Sequence, residues 1–385
     1  MKSIGILGST GSIGVQTLQV IDTFPGEYKI KYLTANQNVK QLAEQALKYN
    51  PDTVCIVQEK YRHQLEALLS KTNITITSGR NALLELAGRD DVDLTMNGLV
   101  GATGMEPTIE AVKNGVDVAL SNKESMVMAG AIINDLLAKH ACNLFPVDSE
   151  HSAIWQCLTG ESKHQIKRII LTGSGGPFRT KPKDEFNQIT KKQALQHPNW
   201  DMGNKITIDS ATMMNKGLEV IEAFWLFGVK SNQIDIVVHP ESIIHSMVEF
   251  VDGSVKAQLG VPDMKVPIQY ALTYPNHSPA NWENLDLTNI GNLHFEKPDM
   301  DKFPCIRLAY EALEKGGTAP VVLNVANDEV VTAFLNGHIP FIQIPNLIED
   351  ALNQHEWMDS PDLDIISHLS KWTCNYIQEQ ITTFA

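Results

Sequence analysis

Two acidic side chains stand two residues apart in the segment "NLFPVDSEHS". Asp148 and Glu150 follow an apolar run that reads as a strand, so an extended chain would direct both carboxylates to the same side. Two carboxylates directed at one point repel each other unless a cation or a proton lies between them. Because carboxylates at a strand end are also common as solvated loop residues, a metal site requires a further ligand.

A third carboxylate stands in the segment "DSATMMNKGLEV", which reads as a helix. Asn215, Lys216 and Glu219 lie within little more than one helical turn, so the three side chains can share a face. Asp148, Glu150 and Glu219 together would suit Mg²⁺ or Mn²⁺, because these ions prefer hard oxygen ligands and keep open positions for water or substrate oxygens.

A glycine-rich segment, "LTGSGGPF", has the character of an anion-binding loop. It is predicted to be a strand that ends in a loop, where backbone N–H groups can converge on an anion and Ser174 can add its hydroxyl. Ser210, Asn215 and Lys216 would complete this site from the other side. We call Ser174, Ser210, Asn215 and Lys216 the phosphate cradle. A flexible hairpin without a ligand is the alternative interpretation of the loop.

Two further segments carry residues of interest. Lys123, in "SNKES", follows the predicted strand "VDVAL", and doubly wound sheets bind ligands at the carboxyl ends of their strands. The segment "HPNWDMG", residues 197–203, is rich in turn residues, and its Trp200 resembles a residue of a closing lid. We call residues 197–203 the flap segment. A single lysine, histidine or tryptophan is more often structural, so a functional role for these residues is supported only by the other candidate residues of the sequence.

The N-terminal segment "GILGSTGSIG" spaces Gly8, Gly11 and Gly14 by three. These glycines follow an apolar strand and open a predicted helix, so N–H groups at the helix start could bind a pyrophosphate, although an ordinary turn would have the same glycines. The second strand ends in "ANQN", without the carboxylate that usually binds an unphosphorylated ribose, which favours NADPH over NADH. A second glycine-rich strand end, "NGLVGATG", could approach the nicotinamide or be a packing turn.

The elements that must position these residues form several predicted domains. Short apolar runs alternate with amphipathic stretches up to residue 147, which indicates an α/β fold with a Rossmann-like, doubly wound parallel sheet. A central α/β region follows, in which "KITID" reads as a strand and residues 213–227 as a long helix. The predicted domains are 1–147 for cofactor binding, 148–273 for catalysis and dimerisation, 274–300 as a linker and 301–385 as a C-terminal helical bundle.

Composition excludes several classes of function. The 385 residues carry 31 basic and 45 acidic side chains, a formal charge of −14, which argues against general binding to nucleic acid or to anionic membranes. The five cysteines form no C-x-x-C pair, so neither a zinc site nor a disulfide framework is indicated. With no secretory leader and no apolar run of membrane-spanning length in the sequence, we expect a cytoplasmic protein.

Over nearly its whole length, the chain closely resembles the 1-deoxy-D-xylulose 5-phosphate reductoisomerase family. Seven segments, in the family's order, carry this resemblance: "GSTGSIG", "NKES", "PVDSEHSAIWQ", "GSGGPFR", "HPNWDMG", "SATMMNKGLEVIEA" and "HPESIIHSMVEF". The resemblance implies a homodimeric enzyme that uses NADPH and Mg²⁺ or Mn²⁺. It would rearrange and reduce its sugar phosphate substrate, 1-deoxy-D-xylulose 5-phosphate, to 2-C-methyl-D-erythritol 4-phosphate, an isoprenoid precursor.

The resemblance also implies roles for individual residues. The residues implied to contact NADPH are Thr10, Gly11, Ser12, Ile13, Asn36, Gln37, Asn38, Asn122, Glu124 and Gly203. The implied metal ligands are Asp148, Glu150 and Glu219. The residues implied to bind substrate are Lys123, Ser149, Glu150, Ser174, His197, Ser210, Asn215, Lys216 and Glu219, with Lys123, Glu150 and His197 as the catalytic group. Trp200 is implied to lie on a closing flap, and we expect His245 to be structural.

One position departs from the family pattern, and two other functions stay open. Some family members carry a basic residue where this chain has Gln37, so the strength with which this chain recognises the 2′-phosphate of NADPH stays open. A metal-assisted, NADP-dependent hydroxyacid dehydrogenase would also need the glycines, carboxylates and lysine, but it would leave the carbon skeleton intact. A regulatory protein that senses NADPH would bind the cofactor without turnover.

Overall fold

The N-terminal sheet consists of short, mostly buried strands. The computed structural model describes residues 1–200 and 202–383. Across these residues, seven parallel strands pair in the order β4-β3-β2-β1-β5-β6-β7. Their bounds are β1 (Lys2–Leu7), β2 (Tyr28–Ala35), β3 (Thr53–Ile56), β4 (Thr75–Ser78), β5 (Leu94–Asn97), β6 (Asp117–Leu120) and β7 (Leu144–Pro146). Continuous apolar runs of this kind are typical of parallel strands that are covered on both faces.

The ring of Tyr32 packs over Gly5 at the centre of this sheet. Gly5 in β1 is in register with Tyr32 of β2 on one side and with Thr95 of β5 on the other. The Tyr32 ring lies over Gly5, where a Cβ atom would come within 2.0 Å of it. Its buried hydroxyl reaches the Thr95 hydroxyl at 2.9 Å. Any larger residue at position 5 would displace this ring, so glycine sets the alignment of the three strands.

Helices connect the strands, as the alternating pattern predicts. The helices of this half of the chain are α1 (Ser12–Asp22), α2 (Val39–Tyr49), α3 (Arg62–Leu68), α4 (Arg80–Ala87), α5 (Met105–Lys113), α6 (Lys123–His140) and α7 (Ser149–Leu158). Helix α6 is kinked at Ala129, whose backbone is not helical. Because the sheet grows from β1 in both directions, the glycine loop between β1 and α1 stands at the point where the strand order reverses. Ligands of doubly wound sheets bind at this point.

The second sheet is mixed. Its order is β11-β10-β8-β9, in which β8 and β9 are parallel and β10 is antiparallel to both β8 and β11. The strands are β8 (Ile166–Gly173), β9 (Ile234–Val238), β10 (Ile244–Phe250) and β11 (Val255–Leu259). The crossover from β8 to β9 contains α8 (Lys191–Ala194), α9 (Asn204–Ala211) and α10 (Met214–Phe227). This single connection therefore carries the phosphate cradle and the flap segment.

One predicted strand was wrong. The segment "KITID" alternates apolar and polar residues like a strand, but it lies within helix α9. Thr207, Ile208 and Ala211 are buried there, a spacing of one and four residues that places them on one side of a helix. Five alternating residues are too few to separate the two periods. The long helix predicted near 213–227 is confirmed as α10.

Helix α11 (Lys265–Thr273) and the short helix α12 (Leu287–Ile290), which lies in the predicted linker, come before the C-terminal region. The region predicted to be a helical bundle from residue 301 is helical, with α13 (Pro304–Lys315), α14 (Ala319–Leu335), α15 (Gln343–Gln354) and α16 (Leu363–Thr382). Aromatic rings connect these helices to the crossover: the Phe178 and Phe341 centroids lie 5.3 Å apart, and those of Phe186 and Phe303 lie 5.8 Å apart. Within the described residues, no helix is both long enough and apolar enough to cross a membrane.

The described chain forms two compact units. The first consists of residues 1–125, 131–152 and 263–283, and the second of residues 126–130, 153–262 and 284 onward. The first unit contains the seven-stranded sheet, and the second contains the mixed sheet with the helices that follow residue 284. The four-part domain division stays a prediction.

Candidate functional site

The glycine loop after β1 is a close turn that requires glycine at two positions. Gly8 has a positive φ of 78°, and its carbonyl oxygen accepts a hydrogen bond from the Gly11 N–H at 3.0 Å. A Cβ atom at Gly14 would lie 2.4 Å from the same oxygen. Helix α1 begins immediately after Gly11, and no side chain caps it. The first N–H groups of a helix have no partner within it, so this turn presents donors that suit a pyrophosphate.

Three exposed polar residues follow β2, as the sequence indicates. Asn38 caps helix α2 by accepting from the Gln41 N–H at 3.3 Å. The segment after β3 lies alongside: the Gln58 N–H donates to the Asn36 carbonyl at 3.0 Å, and its side-chain amide donates to the Gln37 side chain at 3.4 Å. The end of β2 thus presents amide groups, and nothing in "ANQN" would repel a 2′-phosphate.

The second glycine-rich strand end is held by Asn122, which is fully buried. The Asn122 side chain donates to the Leu99 and Gly101 carbonyls at 3.0 and 2.8 Å and accepts from the Ser125 N–H at 3.0 Å. It therefore caps helix α6 and fixes the loop at the same time. Glu124 is 7% exposed and accepts from the Asn122 amide at 3.1 Å. Contact of Asn122 and Glu124 with the cofactor stays a prediction.

A buried lysine lies beside the first carboxylate. Lys123 is 5% exposed, and its Nζ lies 2.5 Å from Asp148 Oδ2. The expectation that Asp148 and Glu150 follow one another on an extended chain was wrong, because helix α7 begins at Ser149. The Asp148 carbonyl accepts from the Ser152 N–H at 2.8 Å, and the Ser149 hydroxyl donates to Glu150 Oε2 at 2.6 Å. Both carboxylates therefore lie at a helix N-terminus, which stabilises negative charge.

The loop after β8 orders a serine and a histidine. The His197 Nδ1 atom accepts from the Asn199 and Trp200 N–H groups at 3.2 and 3.0 Å, so its proton must lie on Nε2. Nε2 then donates to the Ser174 hydroxyl oxygen at 3.1 Å, and the Gly176 N–H donates to the same oxygen at 3.2 Å. With its oxygen occupied as an acceptor, Ser174 directs its own proton elsewhere. A phosphate oxygen would be a suitable acceptor for that proton.

The rest of the phosphate cradle comes from α9 and α10. Lys216 is 6% exposed, and its stem packs against Gly173, where an added Cβ atom would meet Lys216 Cε at 2.8 Å. An added Cβ atom at Gly176 would lie 2.5 Å from the Ser210 carbonyl oxygen. The loop after β8 therefore has Lys216 on one side and Ser210 on another. The residues of the predicted cradle thus belong to neighbouring segments of the second unit, and their binding of a phosphate stays a prediction.

Helix α10 also carries the third candidate carboxylate, Glu219. Glu219 is fully buried, and Lys216 Nζ donates to its Oε2 atom at 2.7 Å. The Asn215 amide donates to Oε1. The prediction that these three side chains share a helix face is confirmed. A buried carboxylate requires such partners, because burial of an isolated charge is costly.

The flap segment is attached to the loop before β10. The Asn199 side chain donates to the Pro240 carbonyl at 2.7 Å and to the Ser242 hydroxyl at 2.8 Å. The Trp200 and His245 ring centroids lie 6.4 Å apart. Gly203 is exposed and precedes helix α9 as its N-cap, while Asp201 lies outside the described residues. The sequence analysis did not single out Asn199 as the residue that attaches this segment, although asparagine and proline next to each other are typical of a turn.

The buried thiols of Cys157 and Cys305 are poor candidates for a nucleophile. Burial raises the pKa of the Cys157 thiol to about 11 and that of Cys305 to about 12. A thiol with so high a pKa stays protonated at neutral pH, and the thiolate is the reactive form. The chemistry of the site therefore rests on its carboxylates, lysines, hydroxyls and histidine.

Family models match most of the chain. Residues 4–130 match the family described as 1-deoxy-D-xylulose 5-phosphate reductoisomerase. Residues 144–227 match a C-terminal domain of the same enzyme, and residues 259–376 match a domain described as the DXP reductoisomerase C-terminal domain. These ranges include all the residues assigned above as candidate cofactor, metal or substrate contacts.

Individual relatives agree with the family models. The 1-deoxy-D-xylulose 5-phosphate reductoisomerase of Chloroherpeton thalassium is 54% identical over 99% of this chain and 98% of its own length. That of Bacteroides fragilis is 48% identical over 94% of each chain.

Solved structures of the same enzyme have the same fold. That from Zymomonas mobilis, in complex with NADPH, is 40% identical, covers 99% of each chain and has a TM-score of 0.93. A DOX-P reductoisomerase in complex with NADPH, fosmidomycin and magnesium is 39% identical over 99% of this chain and 98% of its own, with a TM-score of 0.94. This chain therefore belongs to the 1-deoxy-D-xylulose 5-phosphate reductoisomerase family.

Proposed function

We propose that this chain converts 1-deoxy-D-xylulose 5-phosphate to 2-C-methyl-D-erythritol 4-phosphate, with NADPH as reductant and Mg²⁺ or Mn²⁺ as metal. The observation that carries this proposal, beside family membership, lies in the second unit. There the buried Lys216 packs against Gly173, the last residue of β8 before the glycine-rich loop, and donates to the buried carboxylate of Glu219. The same lysine thus contacts both the predicted phosphate site and a candidate metal ligand. This arrangement suits a substrate that carries a phosphate and also binds a metal.

The first unit fits NADPH. The turn through Gly8 and Gly14 leaves no room for a Cβ atom at position 14, and helix α1 begins with uncapped N–H groups. We assign the pyrophosphate to Thr10, Gly11, Ser12 and Ile13 and the ribose phosphate to Asn36, Gln37 and Asn38. Asn122, Glu124 and Gly203 are assigned to the remainder of the cofactor.

The candidate metal ligands have the right chemistry for Mg²⁺ or Mn²⁺, because all three are carboxylates and the site offers no thiolate. We assign the metal to Asp148, Glu150 and Glu219. The neighbouring Lys123 is paired with Asp148, and Lys216 is paired with Glu219. When bound, the metal would polarise the substrate carbonyl and NADPH would supply the hydride.

The other residues would bind and orient the substrate. The phosphate cradle would hold the phosphate through the Ser174 and Ser210 hydroxyls, the Asn215 amide and the Lys216 ammonium. His197 would fix the direction of the Ser174 hydroxyl, since its Nε2–H donates to that oxygen. Ser149 would bind a substrate hydroxyl, and Lys123 and Glu150 would lie next to the reacting carbons. Binding energy at the remote phosphate can be used to close the flap segment over these carbons.

The proposed reaction is distinguished from that of a hydroxyacid dehydrogenase by its substrate and metal requirement. The purified chain should oxidise NADPH, measured by loss of absorbance, only when 1-deoxy-D-xylulose 5-phosphate and Mg²⁺ or Mn²⁺ are both present. Oxidation of hydroxyacids with NADP⁺ would instead favour the dehydrogenase. Binding of NADPH without turnover under any of these conditions would favour a regulatory protein.

We infer two further properties from family resemblance and composition. The first is assembly into a homodimer, with the small-molecule substrate, and neither nucleic acid nor membrane, as the binding partner. The second is a cytoplasmic location, which agrees with the five cysteines, none of which is in a disulfide. Sedimentation velocity would test the dimer, for which we expect about twice the mass of 42.6 kDa that one chain has.

Asn36→Asp is expected to shift cofactor preference from NADPH towards NADH. Asn36 is exposed at the end of β2, where a carboxylate would repel a 2′-phosphate and accept from an unphosphorylated ribose. The ratio of kcat/KM for NADPH to that for NADH should fall by roughly 10- to 100-fold, which corresponds to a few kcal/mol. Asn50→Asp, at the end of helix α2, is the control and should leave the ratio unchanged. An unchanged ratio in Asn36→Asp would place the ribose elsewhere.

A further inference from the structure

A group of charged and polar side chains connects helices α9 and α14 in the second unit. Lys205 Nζ lies 2.9 Å from Asp209 Oδ2 and 2.9 Å from Asp328 Oδ1. The Asn327 amide donates to Asp209 Oδ1 at 2.8 Å. We call these four residues the α9–α14 cluster. Asp209 is 2% exposed and Asn327 is fully buried, so water does not replace these contacts easily.

The α9–α14 cluster holds Asp209 from two directions. One carboxylate oxygen is bound by Lys205, four residues earlier on the same helix, and the other is bound by Asn327 on α14. Loss of either partner would leave a buried carboxylate short of compensation, which is strongly unfavourable. Asp328 extends the connection, because Lys205 also binds its carboxylate. The cluster therefore limits both rotation and translation of α9 relative to α14.

Helix α9 carries part of the phosphate cradle. Ser210 follows Asp209 directly, and its carbonyl oxygen packs against Gly176 in the loop after β8. A Cβ atom added at Gly176 would lie 2.5 Å from this oxygen. The chain then passes through Met213, which has a left-handed backbone, into helix α10 with Asn215 and Lys216. A shift of α9 would move Ser210 directly and would alter the turn that leads to Lys216.

Helix α10 is fixed in a different way. Gly217 packs so closely against α13 that an added Cβ atom would lie 2.6 Å from Ala309 Cβ. This contact is apolar and does not involve the α9–α14 cluster. The two helices of the phosphate cradle thus have separate attachments to the C-terminal helices, and the polar attachment belongs to α9.

From this arrangement we propose that Asp209 is a positioning residue for substrate binding, and that α14 sets the place of Ser210 in the phosphate cradle through Asn327 and Lys205. The inference rests on the proposed function, since it assumes that the cradle binds the substrate phosphate. Neither Asp209 nor Asn327 is assigned a contact with the substrate. Their effect would be transmitted by the position of α9.

Helix α14 offers a matched pair of variants for the test. Asn324 and Asn327 are both fully buried, three residues apart, and neither amide oxygen has a hydrogen-bond donor among the described side and main chains. The Asn324 amide donates to the Met128 sulfur at 3.2 Å, whereas the Asn327 amide donates to the Asp209 carboxylate. Asn327→Leu and Asn324→Leu therefore make the same change at equal burial, but only Asn327→Leu removes a hydrogen bond to α9.

The measurement is the Kd of fosmidomycin, a phosphonate, for the full chain with NADPH and Mn²⁺, by calorimetry. We expect Asn327→Leu to raise this Kd and the KM for substrate by roughly 3- to 30-fold, the usual size of coupling through packed elements, with a smaller change in kcat. Asn324→Leu should leave both constants unchanged although its melting temperature also falls. Lys205→Met should act like Asn327→Leu, and Lys205→Arg should restore binding because Arg can still bridge two carboxylates.

Each outcome separates this inference from the proposed function. If the unmodified chain neither binds fosmidomycin nor turns over the substrate, the proposed function fails. If the unmodified chain binds and Asn327→Leu binds equally well, Asp209 does not position the cradle. Equal losses of affinity in Asn327→Leu and Asn324→Leu would show a general loss of stability and would also overturn the inference. Should Asn327→Leu fail to fold, the comparison of Lys205→Met with Lys205→Arg decides in the same way.

Discussion

Glu219→Gln is expected to raise the Mn²⁺ concentration for half-maximal activity by at least 10- to 100-fold, the range typical of losing a residue that only supports a metal ligand. Glutamine keeps the size of the side chain and much of its hydrogen bonding but removes one negative charge. Glu219 is fully buried and accepts from Lys216, so its neutral replacement would leave the Lys216 ammonium without its carboxylate partner and reduce the attraction for the incoming cation. Activity should recover in part at high Mn²⁺ concentration.

Glu249 in β10 provides the control. It is 8% exposed and is paired with Lys167 and Arg168, and it belongs to no group of candidate metal ligands among the described residues. We expect the Mn²⁺ dependence of Glu249→Gln to stay close to that of the unmodified chain. The Kd of NADPH should be unchanged in both variants, since the glycine loop belongs to the other unit. An unchanged Mn²⁺ dependence in Glu219→Gln, or an equal shift in both variants, would contradict the assignment of the metal to Glu219.

Lys216→Met is expected to raise the KM for substrate by roughly 10- to 100-fold. A hydrogen bond to a charged group contributes about 1.5–3 kcal/mol, and each 1.4 kcal/mol corresponds to a factor of about ten. The free energy of unfolding should also fall by about 3–5 kcal/mol, because Glu219 loses its buried partner. Steady-state kinetics and thermal melting with and without Mn²⁺ measure the two effects separately.

Binding of Mn²⁺ should restore part of the stability lost in Lys216→Met, since a cation beside Glu219 would replace the missing ammonium group. It should not restore the KM. Lys192→Met is the control, because Lys192 is exposed at the short helix α8, and neither quantity should change there. If Lys216→Met lost stability but kept its KM, Lys216 would be a structural partner of Glu219 and no part of the phosphate cradle.

The sequence predicted the N-terminal fold well, because each of its elements is coded locally. Buried parallel strands are short apolar runs, and Gly8, Gly11 and Gly14 mark the turn between β1 and α1. The errors arose where a short pattern has two solutions. "KITID" alternates like a strand but lies within α9, and the expected extended chain through Asp148 and Glu150 is the start of α7. In both cases the helical residues that follow decide the structure.

The site was predictable in its residue types and less so in its contacts. The shared face of Asn215, Lys216 and Glu219 follows from helical spacing alone. The hydrogen bond from His197 to Ser174 joins residues 23 positions apart, and that from Asn327 to Asp209 joins residues 118 positions apart. Such pairs depend on how the β8–β9 crossover packs on the C-terminal helices, for which no short segment carries a signal.

The most direct test of the central claim is the carbon skeleton of the product. The purified chain is incubated with NADPH, Mg²⁺ and 1-deoxy-D-xylulose 5-phosphate labelled with ¹³C, and the product is identified by NMR. We expect one branched product, 2-C-methyl-D-erythritol 4-phosphate, formed in equal amount to the NADP⁺ released and only when the metal is present. An unbranched alcohol from simple reduction of the ketone, or NADPH oxidation that does not depend on the metal, would contradict it.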